Sequence, residues 1–156
     1  MVRGAVLIDM DRAREIVGMV VDPEIPVLTI AELGILRDVV VEEGRVVVTI
    51  TPTYSGCPAM RQIEDDIRSH LAEAGFERVT VTTIHSPAWT TDWIGPEANA
   101  KLAAFGIAPP TSPTAVLCPR CDASGPRMVS RFGSTACKAL MVCAGCGEPF
   151  DWFKEF

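Results

Sequence analysis

Apolar residues at Met10, Ala13, Ile16, Val17, Val20 and Val21 recur at three- and four-residue intervals, the spacing that gathers side chains on one face of a helix. The pattern predicts a first helix capped by Asp9 or Asp11 and stopped at Asp22-Pro23, with that face turned to a core. From Ile35 to Val41 and from Arg45 to Thr51 the period changes. Two runs rich in β-branched residues flank Glu42-Glu43-Gly44, which reads as a hairpin around a tight turn. Helical spacing returns at Met60, Ile63, Ile67 and Leu71. Pro58 suits a first helical turn, where its missing N–H has no partner to lose, so Cys57 falls at the N-cap or first residue of a helix that runs to Ala74 and ends at Gly75. Glu77 to Thr83 reads as a third strand. A loop from Ile84 to Gly95 then carries Trp89 and Trp93, and Pro96 opens a short helix through about Phe105.

Pro109-Pro110-Thr111-Ser112-Pro113 cannot continue a helix and is stiff and extended, which makes it the expected linker. The predicted organisation is α+β: a domain over residues 1–108, the linker over 109–113, and a β-rich module over 114–156 with a hairpin near Met128 to Phe132. At 156 residues, 48% of them hydrophobic, the chain can bury one modest core plus a small module, which excludes wholesale disorder. No run of about 20 uncharged apolar residues occurs, and residues 1–8 lack the cleavage pattern of a secretory signal, so the expected location is the cytoplasm.

The net charge of −6 is uneven: residues 1–110 hold 9 Lys and Arg against 16 Asp and Glu, while residues 111–156 hold 5 against 4. Nucleic-acid modules need a concentrated basic face to displace phosphate counterions, so this balance points to protein partners instead.

Cysteine spacing carries the strongest chemical signal. Cys118-Pro119-Arg120-Cys121 and Cys143-Ala144-Gly145-Cys146 are two Cys-x-x-Cys pairs, and two such pairs supply the four sulfurs of a closed tetrahedral site, expected to hold structural zinc. Cys137 is a fifth sulfur nearby. It reads by default as a spectator, with an alternative ligand role in place of Cys143, or a thiol that handles iron, also open. Cys57 stands alone upstream, and two readings stand. A thiol at a helix N-terminus gains from unpaired N–H groups and the positive end of the dipole, which favours a reactive thiolate; a cysteine three residues before Met60 can equally be inert core. Asp22-Pro23-Glu24-Ile25-Pro26 sets two carboxylates on a proline-fixed loop, with Glu32 following, and these can offer ligands beside a thiolate or simply cap the chain and solvate a turn. His70 falls on the polar side of its helix and His85 at a strand end, as weaker candidates. No Ser-His-Asp order, phosphate-cradling glycine loop or glycosidase carboxylate pair can be assembled, so a self-sufficient catalyst is not expected.

The Asp22–Pro26 and Glu32–Ile35 segments, the strand Val46 to Thr51 and Cys57-Pro58 together resemble the MIP/SufT-type iron–sulfur assembly domain. Taken with Ser86 to Ile94, Gly106 to Pro110, the first knuckle, Phe132 to Leu140 and Glu148 to Lys154, the chain resembles the PaaD family of bacterial phenylacetyl-CoA epoxidase systems over essentially its whole length. The resemblance implies an iron–sulfur-assembly-type α/β domain followed by a zinc ribbon. It also implies a non-catalytic accessory role in aerobic phenylacetate catabolism, assembling or repairing an iron–sulfur or di-iron centre in the reductase or oxygenase component of a multicomponent di-iron oxygenase. Carried over by position, Cys57 matches the family's reactive cysteine and becomes a candidate transient ligand for iron or a cluster. Asp22, Glu24 and Glu32 match its acidic segments, and Cys118, Cys121, Cys143 and Cys146 match the ribbon ligands. Glu32 stands where many relatives have Asp, and Lys154-Glu155-Phe156 adds no further cysteine. Two other functions compete: a rubredoxin-like electron carrier, because four cysteines hold iron as well as zinc, and a purely structural component of the oxygenase anchored by Trp89, Trp93 and the aromatic tail of Phe150, Trp152, Phe153 and Phe156.

Overall fold

The computed structural model describes residues 2–156, with side-chain surroundings from residue 9 onward. The chain divides into two compact units, residues 1–89 and 90–156.

In the first unit, helix α1 (Val2–Gly18) precedes strands β1 (Leu36–Glu42) and β2 (Arg45–Ile50), helix α2 (Ala59–Glu73) and strand β3 (Val79–Thr83). The strands form one sheet in the order β1-β2-β3. β1 and β2 are antiparallel, joined at Glu43 and Gly44, whose φ values of 51° and 75° are the left-handed pair that a two-residue hairpin turn requires. β3 lies parallel to β2, from Val46↔Val79 to Ile50↔Thr83, and α2 makes the crossover that a parallel pair needs. Val46, Val48 and Ile50, on alternate positions of β2, are buried, as are Ala13 and Val17 of α1, Ile63, Ile67 and Leu71 of α2, and Leu28, Ile30 and Leu33.

Three expectations shift here. Helix α1 ends at Gly18, short of Asp22-Pro23, so Val20 and Val21 lie beyond it and Val21 is exposed. Helical backbone begins at Val2, so Asp9 and Asp11 lie inside α1 instead of capping it. A short acid mid-helix is tolerated when its carboxylate stays in water, and Asp11 is exposed. The buried stripe of α2 is Ala59, Ile63, Ile67 and Leu71, a strict four-residue spacing that leaves Met60 only half-buried. Gly75, at φ 95°, ends that helix in the left-handed conformation that glycine adopts without strain.

In the second unit, helix α3 (Pro96–Ala104) leads into strand β4 (Ile107–Ala108), followed by β5 (Arg127–Ser130), β6 (Lys138–Val142) and β7 (Pro149–Phe153). The sheet order is β4-β7-β6-β5, with β4 parallel to β7 through Ile107↔Asp151 and Ala108↔Trp152. Its core gathers Ala108, Val116, Ala139, Met141, Phe150 and Trp152 against Cys118 and Cys143. The boundary between compact units therefore falls earlier than the prolines at 109–113 suggest. Residues 107–108 are hydrogen-bonded into the ribbon sheet, and the Thr90 hydroxyl donates to the Phe156 carbonyl at 2.7 Å, tying the start of this unit to its end.

Candidate metal centre

The two Cys-x-x-Cys pairs close in the same way. In the first, the Asp122 N–H donates to the Cys118 carbonyl at 2.9 Å and the Cys118 N–H donates to the Ala123 carbonyl at 3.0 Å. In the second, the Gly147 N–H donates to the Cys143 carbonyl at 3.2 Å and the Cys143 N–H to the Glu148 carbonyl at 3.0 Å. The residue after each second cysteine takes a left-handed conformation, Asp122 at φ 62° and Gly147 at φ 75°. That conformation turns both sulfurs of a pair toward one point. Backbone N–H groups also face the first sulfur of each pair: Arg120 on Cys118 at 3.4 Å and Gly145 on Cys143 at 3.2 Å. The N–H groups of Cys146 and then Gly145 hold the Cys143 thiol down to about 6.

All four sulfurs lie within 4.8 Å of one another, with Cys118 and Cys146 at 3.9 Å and Cys121 and Cys143 at 3.4 Å. A tetrahedral ion with metal–sulfur bonds of about 2.3 Å needs sulfurs about 3.8 Å apart, so the donor set fits one such ion. Gly145 makes this closeness possible. A Cβ there would stand 2.8 Å from the Ala123 methyl and 3.5 Å from the Cys121 sulfur. Among the described residues this is the one group of three or more His, Cys, Asp or Glu that could hold a metal. Cys137 lies outside it, buried just before β6 with its sulfur 3.0 Å from the Thr135 hydroxyl. His70 and His85 are both exposed and outside it too, His70 with Nδ1 2.6 Å from the Asp66 carbonyl.

The acidic loop and Cys57 form a second locale in the first unit. One Asp22 carboxylate oxygen accepts from the N–H groups of Glu24 and Ile25 at 2.8 and 2.9 Å, and the Asp22 N–H donates to the Leu28 carbonyl at 2.9 Å. Asp22 is buried and holds the loop's shape. Glu32 makes a reciprocal box with Thr29: its carboxylate accepts from the Thr29 N–H at 3.0 Å while its own N–H donates to the Thr29 hydroxyl at 3.1 Å. Glu24, half-buried, is the carboxylate whose charge bears on Cys57.

Cys57 sits two residues before the first residue of α2, with its carbonyl accepting from the Met60 N–H at 3.3 Å. Burial, and then the Glu24 charge, push the thiol above its ordinary value, against the Ala59 N–H and the Tyr54 and Thr53 side chains, which pull the other way. Thr53 and Tyr54 carry no sequence signal of their own and join this site only through the turn that leads into α2.

Most of the aromatic residues are packing residues. Phe150, Trp152 and Phe153 are core, and the Trp89 indole N–H donates to the Leu33 carbonyl at 2.9 Å from a buried position. Only Phe156 of the tail is substantially exposed. No helix among the described residues is long and apolar enough to cross a membrane.

A mixed α/β unit followed by a β-rich unit that closes four sulfurs on one point defines a two-part class, an iron–sulfur-assembly-type domain with a zinc ribbon. A family model described as iron–sulfur cluster assembly protein matches residues 11–89, and one described as the PaaD zinc β-ribbon domain matches residues 107–154. An Escherichia coli protein, provisionally named as the D component of 1,2-phenylacetyl-CoA epoxidase, is 48% identical over 140 residues, covering 85% of each chain. The chain belongs to the PaaD family. Over the first unit it is also similar to the Fe–S protein maturation auxiliary factor SufT of Staphylococcus aureus, at 37% identity across 54% of this chain and 97% of that one. Among solved structures, the domain of unknown function DUF59 from Bacillus anthracis superposes with a TM-score of 0.58 at 25% identity, covering 64% of this chain and 96% of that one.

Proposed function

We propose that this chain is a non-catalytic accessory component of a phenylacetyl-CoA epoxidase, assembling or repairing the iron–sulfur or di-iron centre of its reductase or oxygenase component. In this reading the ribbon holds one structural zinc through Cys118, Cys121, Cys143 and Cys146, and Cys57 is the transient ligand for iron or a cluster. The observation that carries it is a half-buried free thiol, Cys57, just before α2, with the Glu24 carboxylate near enough for its charge to bear on it. The relatives named for Fe–S protein maturation support the same direction over the first unit.

The raised thiol gives this arrangement a chemical logic. Free Cys57 keeps its proton at neutral pH, which protects it from oxidation and from stray electrophiles. An arriving iron cation neutralises the Glu24 charge locally and takes the thiolate, releasing the proton to water; a ligand on the client then displaces the sulfur, which is reprotonated. Asp22 and Glu32 position the loop, and their carboxylates are engaged with backbone N–H groups.

The test is transfer in vitro. Protein loaded anaerobically with ferrous iron and sulfide should restore the metal-depleted epoxidase component, and Cys57→Ala, folded and with its ribbon metal intact, should not. Equal restoration by Cys57→Ala removes the thiol from the mechanism. A red protein with a thiolate-to-iron charge-transfer band at the four-cysteine site would favour the electron carrier, since a zinc site is colourless.

A further inference from the structure

The two sheets treat their edges differently. In the first unit, Arg14 donates to the Val39 carbonyl of β1 at 3.0 Å and Arg68 to the Val79 carbonyl of β3 at 3.2 Å, so charged side chains blunt both outer strands. In the second unit β5 is an outer strand, and among the described residues no side chain is hydrogen-bonded to the backbone of 127–130 along its open edge. Both faces of β5 are uncovered as well. Met128 is 43% exposed and Val129 48%, and Phe132 just beyond is 63% exposed, held under the Lys154 ammonium at 4.7 Å from its ring centre. Exposed Arg127 and Arg131 bracket these apolar residues. Lys154 fixes the end of the segment by donating to the Arg131 carbonyl at 2.7 Å.

The register of β5 shifts between Met128 and Ser130, which bends the strand. Its backbone edge still carries no side-chain partner among the described residues, and such an edge with apolar side chains and a cation at each end has the chemistry of a strand-addition site. We infer that β5 receives an extended segment of a partner protein, apolar in its middle and acidic at its ends, which pairs with the edge and sets carboxylates against Arg127 and Arg131. The charges choose this occupant over a second copy. Full antiparallel self-pairing of 127–131 would place Arg127 opposite Arg131 at both ends, and like charges directly across a ladder are destabilising. Phe150, Trp152 and Phe153 of the aromatic tail are buried in the core and do not compete for this role. The inference does not depend on which metal the partner holds, so its failure leaves the metal-delivery reading standing.

The test uses the full metal-loaded chain and two synthetic peptides, one with the core Glu-Val-Thr-Val-Glu and one with Lys-Val-Thr-Val-Lys, followed by NMR shifts and amide exchange. The acidic peptide should shift and protect amides of 127–131 and lose affinity as salt rises, while the basic peptide leaves them unchanged. The double substitution Arg127→Glu, Arg131→Glu should weaken the acidic peptide by about tenfold, the size expected for two exposed ion pairs reversed, with ribbon metal content unchanged. Three results would overturn the inference: no response at 127–131 to the acidic peptide, equal response to both peptides, or protection of 127–131 that rises with protein concentration alone and so belongs to a second copy.

Discussion

At Cys57 two influences oppose each other, and their balance sets the reactivity of the thiol. The N–H of Ala59 favours the thiolate, while burial and the Glu24 carboxylate disfavour it and prevail. Alkylation of Cys57 by iodoacetamide should therefore be slow at neutral pH and speed up only as pH rises above the ordinary thiol range. Glu24→Gln removes a negative charge, which favours the thiolate, so its pH–rate profile should move to lower pH; an unmoved profile would separate the two groups. Asp22→Ala should strip two N–H groups of their shared acceptor and cost about 1 kcal/mol, read as a lower midpoint in urea. The identities at this site were legible in the sequence, through the proline-fixed loop and the Cys57-Pro58 pair. The sign of the shift was not, because it depends on burial and on the approach of Glu24, thirty-odd positions away along the chain, and local helix-terminus reasoning contains neither.

The elements divide by the strength of their local signals. The β1–β2 hairpin and α2 follow from β-branched runs around a glycine turn and from four-residue apolar spacing, and the structure places both close to where the pattern does. Strand β4 has two residues, too few to carry a period, and only its bonding to β7 reveals it. The start of α1 is not legible at Asp9 or Asp11, because aspartate signals a cap only where the preceding residues leave the helix. Ile67→Ala in α2 empties a fully buried position against the sheet and should cost about 2–5 kcal/mol, leaving the ribbon metal in place. In the ribbon, Gly145→Val should lower metal affinity, because even a Cβ already presses on Ala123 beside two of the sulfurs; metal retained at wild-type affinity would show that the two knuckles can separate.

For the whole molecule, two cores depend on different sources of stability. The first unit is filled by aliphatic residues from two helices and a sheet, whereas the second includes Cys118 and Cys143 in its core and so couples its packing to metal binding. A strong chelator should release one metal per chain and unfold residues 90–156, including α3 and β4, while amide exchange in α2 and β2 stays slow. Retention of β6 and β7 protection after complete metal removal would show a ribbon that folds without its ion.

Metal delivery is tested most directly by the iron content of the epoxidase components purified from a strain lacking this protein. The oxygenase and reductase polypeptides should accumulate, with one of them underfilled with iron and inactive, and wild-type protein supplied in the strain should correct both deficits while Cys57→Ala corrects neither. Fully metallated components that regain activity on simple addition of the Cys57→Ala protein in stoichiometric amount would contradict metal delivery and make the chain a structural part of the complex.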